Sequence, residues 1–155
     1  MLWFNRKTTA VQVAEPPQAA PVAAMPNRAH GNETIIIADD DRLVRSALCA
    51  ALRRLGYRVL EASSGAQAVQ IAETETGPID MVLADVVMPS MTTDQLHQRL
   101  HQAKPDARIA FMSGYIQDEL VRQSILHGSV PFFEKPFTVP TLAKQIRDLL
   151  DDRRN

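Results

Sequence analysis

The stretch Ile79-Asp80-Met81-Val82-Leu83-Ala84-Asp85-Val86-Val87-Met88-Pro89 decides how this chain is read. Its apolar run, rich in Val and Leu and stopped by a Met-Pro turn, has the pattern of a strand buried on both faces of a parallel sheet. One carboxylate, Asp85, stands where that strand would leave the sheet. The other segments can be read as supplying its neighbours.

Upstream, Thr34-Ile35-Ile36-Ile37-Ala38 is a β-branched run that ends abruptly in Asp39-Asp40-Asp41. Val44, Leu48, Ala51, Leu52 and Leu55 then recur on one helical face, stopped by Gly56. Tyr57 to Ala62 reads as a second strand, and Ser64 as the N-cap of a helix that Gly77-Pro78 ends. Downstream, Leu96 and Leu100 mark a third helix and Arg108 to Met112 a fourth strand, followed by Ser113-Gly114-Tyr115. A helix over roughly Gln117 to His127 and a strand over about Val130 to Phe133 lead into Glu134-Lys135-Pro136. Thr138 caps a last helix with Leu142, Ile146, Leu149 and Leu150 inward and Pro140 tolerated in its first turn. Five strands alternating with five helices predict an α/β fold, a parallel sheet covered on both faces with right-handed crossovers. Ligands of such sheets sit beyond the carboxyl ends of the strands.

The chain of 155 residues, 45% hydrophobic, is long enough for one core and short of two. A net charge of -1 without a clustered basic face gives no footprint for nucleic acid. Cys49 is the single cysteine, which excludes an internal disulfide framework, and its helical position predicts a small buried thiol. No apolar run approaches the roughly 20 residues of a membrane span, and Met1-Leu2-Trp3-Phe4 is too short for a secretory signal core. A cytoplasmic location is the expectation. Residues 1–33 carry Pro16, Pro17, Pro21 and Pro26 among alanines and valines without periodicity, which predicts a disordered tail. Residues 34–152 form the predicted domain, and 153–155 a short C-terminal tail.

The polar residues that follow the apolar strands are Asp39 and Asp40, Asp85, Ser113 and Lys135, from four separate segments. Three carboxylates about 5 Å apart would repel by roughly 3 kcal/mol per pair at an effective dielectric near 20. Such a cluster needs a cation, and hard oxygen donors that keep water while awaiting phosphate oxygens suit Mg²⁺. Lys135 adds a point charge, Ser113 a hydroxyl and Asp85 a nucleophile. A carboxylate so placed can attack a phosphoryl group in line and form a transient aspartyl phosphate. Asp41 is better read as a helix cap than as a further ligand.

The blocks IIIADDDRLVR (Ile35 to Arg45), DMVLADVVMP (Asp80 to Pro89), FMSGY (Phe111 to Tyr115) and FFEKPF (Phe132 to Phe137) resemble the signature blocks of response regulator receiver domains, the CheY-like family, including those fused to hybrid sensor histidine kinases. The resemblance implies a flavodoxin-like (βα)5 fold with strand order 2-1-3-4-5. It also implies Asp85 as phospho-acceptor, and a Mg²⁺ ion held directly by Asp40, Asp85 and the Val87 backbone carbonyl, with Asp39 acting through water. Ser113 and Phe132 match the family's switch pair, the hydroxyl that follows the phosphoryl group and the rotating aromatic. Lys135 matches its lysine, joined to Pro136 by a cis bond. Implied partners are a histidine kinase or histidine phosphotransfer protein and a downstream protein target, with the chain a monomer or a weak phosphorylation-dependent dimer. A stand-alone receiver without an output domain is expected, catalysing only its own phosphorylation and dephosphorylation.

The chain departs from the family pattern at Ser90, where Gly is frequent, and at Thr92-Thr93 in place of Asp-Gly. Phe132 lacks a Tyr hydroxyl, and Val87 and Tyr115 place apolar or bulky groups where water would attack. A haloacid-dehalogenase-like hydrolase would need a second Asp where Val87 stands. A flavin site would need a phosphate loop where three Asp residues stand. A phosphorylation-independent pseudo-receiver is the alternative that the complete acid, hydroxyl and lysine set opposes. His97 and His101 have a zinc-compatible spacing but no acid between them, and read as a helix face.

Overall fold

The computed structural model describes residues 30–114 and 130–152. Five strands form one sheet in the order β2-β1-β3-β4-β5 with every neighbouring pair parallel. They are β1 (Thr34–Ala38), β2 (Arg58–Ala62), β3 (Met81–Asp85), β4 (Arg108–Ser113) and β5 (Phe132–Glu134). The helices are α1 (Arg42–Arg54), α2 (Gly65–Thr74), α3 (Thr93–Ala103) and α4 (Val139–Asp151). The helix expected over Gln117 to His127 and residues 1–29 of the tail expected over 1–33 lie outside the described residues, whereas Gly31 N–H donates to the Leu55 carbonyl and Glu33 is largely buried.

Alternation along each strand builds two cores. Ile35, Ile37, Leu83 and Met112 face one way, against Leu48, Cys49 and Leu52 of α1 and Leu142 and Ile146 of α4. Ile36, Ala38, Val82, Ala84 and Phe111 face the other way, against Val69 of α2 and Leu96 and Leu100 of α3. Met81 to Ala84, the body of β3, are therefore covered on both sides, as a central parallel strand must be. Cys49 is fully buried, and burial pushes its thiol up to about 11. That keeps it protonated and unreactive at neutral pH.

Capping fixes where each helix begins. Asp41 Oδ1 accepts from the Leu43 and Val44 N–H groups, Ser64 Oγ from Gln67 N–H, and Thr138 Oγ1 from Thr141 N–H. At α3, Thr92 and Gln95 bond reciprocally in a capping box. Gly56 ends α1 at φ +94°, and a Cβ there would come within 2.6 Å of the Gly31 carbonyl oxygen. Only glycine meets both demands.

Three strands shift their boundaries, the fourth running on to Ser113 rather than stopping at Met112. The second strand begins at Arg58 rather than Tyr57, whose N–H is drawn back to the Leu52 carbonyl at the end of α1. The fifth strand occupies Phe132–Glu134 rather than Val130 to Phe133. Pro131 has no N–H to give the ladder, although its carbonyl accepts from Phe111 N–H at 3.0 Å.

At the amino end of the sheet, Glu33 and Arg147 form a bidentate pair at 2.8 and 3.2 Å, both side chains 9% exposed. Arg147 also binds Asp151 one turn on, so the pair fastens α4 to the entry of β1. Burial alone would raise the Glu33 carboxyl, but hydrogen bonds from Arg147 and from backbone N–H groups hold it below its ordinary value. The folded protein therefore binds that proton less readily than the unfolded chain does. The stabilisation is full above the ordinary carboxylate range and is lost as the pH falls through the depressed folded value. Arg147→Met takes the bidentate counter-charge from a largely buried carboxylate, and a loss of about 3 kcal/mol at neutral pH is expected. Urea unfolding of both proteins checks this, and the gap should narrow in acid as Glu33 takes a proton.

Candidate functional site

Three hydrogen bonds prolong the sheet beyond its strands and carry the polar residues to one place. Asp39 N–H donates to the Ala62 carbonyl at 3.1 Å, Val86 N–H to Met112 at 3.1 Å, and Lys135 N–H to Ser113 at 2.8 Å. Because the strands are parallel, all their carboxyl ends open on the same edge. The strand-end residues of the sequence thereby become neighbours in space.

Lys135 joins the acids. Its Nζ lies 3.0 Å from Asp39 Oδ2 and 3.2 Å from Asp85 Oδ2. The second oxygens are fixed by backbone donors: Asp39 Oδ1 accepts from Asp41 N–H at 2.9 Å and Asp85 Oδ1 from Val87 N–H at 3.1 Å. Asp39 is fully buried, Asp85 half-buried and Asp40 exposed, and carboxylate oxygens from all three lie within 4.8 Å of one another. Burial would lower the Lys135 ammonium, but the Asp39 hydrogen bond and the two carboxylate charges outweigh it and hold the ammonium above its usual range. Lys135 stays charged at neutral pH.

Three negative charges and one positive leave two negative charges in the cluster. Hard oxygen donors carrying that excess fit a divalent ion such as Mg²⁺. Asp39, Asp40 and Asp85 are the one such group of acid, histidine or cysteine side chains among the described residues. His97 and His101 instead stack face to face, centroids 6.2 Å apart. Burial, then the neighbouring His101, lowers the His97 imidazole.

Ser113 ends β4 buried, one register step past the Met112 that pairs with Asp85. Phe132 opens β5 half-buried against the second core. Lys135-Pro136 is cis, as the resemblance implies. Val87 leaves its side chain 64% exposed beside Asp85, and Leu43 of α1 is 81% exposed. Tyr115 lies outside the described residues. Ser90 adopts φ 78°, the left-handed conformation that explains why glycine is frequent at that place. The sequence reading did not single out Arg45, whose Nη1 donates to the Asp39 carbonyl at 2.7 Å. Its spacing of six residues from Asp39 carries no signal of that bond.

The family described as response regulator receiver domain matches residues 35–147. The chain is 35% identical over 138 residues to the sensor kinase CckA of Brucella abortus (strain 2308), covering 85% of this chain but 15% of that protein. It is 32% identical over 116 residues to the response regulator receiver protein CpdR of the same organism, covering 75% of this chain and 95% of that one. Among solved structures, the receiver domain of the hybrid histidine kinase CckA superposes with a TM-score of 0.64 at 33% identity, covering 76% of this chain and 98% of that domain.

The crowding of like charges has a measurable consequence. In a chelated, metal-free solution, Asp40→Asn is expected to raise the urea midpoint above wild type. Added MgCl₂ should stabilise wild type and do less for the variant, because a ligand bound only by the folded state shifts the equilibrium toward it. A wild type indifferent to MgCl₂ would count against the cation site.

Proposed function

Because this chain belongs to the family of response regulator receiver domains, we propose that it takes a phosphoryl group onto Asp85 from the phosphohistidine of a histidine kinase or phosphotransfer protein, in a Mg²⁺-dependent step. The observation that supports this most is the single ammonium of Lys135 within hydrogen-bond distance of both Asp39 and Asp85.

Asp85 is the nucleophile. Its two oxygens are held by Lys135 and by Val87 N–H, so the carboxylate meets the donor in a fixed plane. An Asp85 oxygen forms the bond to phosphorus as the phosphorus–nitrogen bond breaks, and that electron pair returns to the departing imidazole. Lys135 stays protonated throughout and offsets negative charge on the phosphoryl oxygens. Asp39, Asp40 and Asp85, with the Val87 carbonyl, are the residues that would hold Mg²⁺, which when bound neutralises phosphoryl charge. Water then releases phosphate from Asp85, so the chain catalyses only its own modification and acts on no further substrate.

The signal is a change of shape. Ser113, at the end of β4, follows the phosphoryl group, and Phe132 turns inward beside it, altering the face of β5 and α4 that a downstream protein reads. This requires that phosphoryl binding favour one state over the other.

Incubation with a small phosphodonor and MgCl₂, followed by intact mass measurement, tests the reading. Wild type is expected to gain one phosphoryl group and Asp85→Asn none. A wild type that gains none would favour a phosphorylation-independent interaction module.

The exposed Val87 side chain offers no polar group to orient an attacking water. A phosphoryl lifetime of minutes or longer is therefore expected, and Val87→Asn should shorten it severalfold. Loss of label from wild type within seconds would contradict this.

A further inference from the structure

We propose that Arg45 is a positioning residue of the acid pocket: by holding the Asp39 carbonyl it fixes the peptide that carries Asp40, and so sets the affinity for the divalent cation. The inference rests on the reading of the pocket as a Mg²⁺ site and adds to it a residue that touches neither metal nor phosphoryl group.

Asp39 is fully buried, so each of its polar atoms needs a partner within the protein. Its N–H goes to the Ala62 carbonyl, Oδ1 to Asp41 N–H and Oδ2 to Lys135. The carbonyl is taken by Arg45 Nη1 at 2.7 Å, a short charge-assisted bond. That carbonyl shares one rigid plane with the N–H of Asp40. A guanidinium that fixes its direction also fixes where the chain leaves Asp39, and hence where the exposed Asp40 carboxylate stands.

Arg45 is itself held in place. Its side chain is 14% exposed, and its Nε lies 3.8 Å from Glu61 on the edge strand β2. Glu61 is bound in turn by Arg53 at 2.9 Å, and Arg53 Nη2 donates to the Val59 carbonyl at 3.1 Å. A line of contacts therefore runs from the edge of the sheet to the floor of the pocket. Mg²⁺ demands near-ideal octahedral donors, and partners that orient ligands without touching the metal typically account for about 10- to 100-fold in affinity.

The competing explanation predicts the opposite sign. If Arg45 acted only as a nearby positive charge, its removal would relieve repulsion and tighten a dication. If it acts by orientation, its removal loosens the pocket although the charge balance improves.

Calorimetric titration of the full chain with MgCl₂ separates the two. Arg45→Met, which keeps the stem and loses the donors, is expected to bind Mg²⁺ about tenfold more weakly or worse. Arg45→Lys, which keeps a donor and the charge, should recover most of the affinity. Circular dichroism identifies the folded variants, and if Arg45→Met does not fold, Arg45→Gln, too short to reach the carbonyl, carries the same expectation. A merely structural role would lower the unfolding midpoint and leave the Mg²⁺ affinity of the folded protein unchanged. Wild type that binds Mg²⁺ together with an Arg45→Met or Arg45→Gln protein that binds it equally or more tightly overturns the inference and leaves the functional reading standing. Wild type that neither binds Mg²⁺ nor accepts a phosphoryl group overturns both.

Discussion

Like charges forced together at one edge of a parallel sheet are the constraint on which the remainder of this structure turns. Asp39 and Asp85 are delivered by neighbouring strands, and the register between β1 and β3 gives them no freedom to separate. Lys135, delivered from the far side of β4, is the counter-charge that makes this tolerable. One ammonium cannot balance three carboxylates, so the protein is folded around a deficit. Chemistry that brings cations and phosphoryl oxygens together exploits that deficit, and stability elsewhere must carry its cost.

That stability is visible at the opposite edge. Glu33 and Arg147 form a matched, nearly buried pair with a third partner in Asp151, and the two hydrophobic layers clamp the central strands from both sides. The two ends of the sheet use similar charged groups differently. At the amino end charge is satisfied in a closed bidentate geometry, whereas at the carboxyl end it is left in excess and partly open to solvent.

Much of this was legible in the sequence because it depends on period and position along one segment. The apolar run ending at Asp85, the Ile run ending at Asp39 and the capping residues Asp41, Ser64 and Thr138 each declare themselves within a dozen residues. Topology then brought Asp39, Asp40, Asp85, Ser113 and Lys135 to one edge. What could not be read depends on pairings across the fold. Glu33 and Arg147 are 114 residues apart, and an arginine on an amphipathic helix is ordinarily solvated. Arg45 lay inside a quoted motif, yet nothing in its neighbours says that its guanidinium turns back to a backbone carbonyl. The short fifth strand was misplaced because Val130 and Phe132 look β-prone, while Pro131 between them lacks the donor that a ladder needs.

Cys49 gives the molecule a built-in clock. A thiol sealed between α1 and the sheet, titrating only near 11, reacts with an alkylating reagent when the helix lifts away. Its labelling rate therefore measures how often the layer carrying Asp41 and Arg45 detaches from the strands. Since α1 starts within two residues of Asp40, the same rate reports on the wall beside the pocket, with no residue substituted.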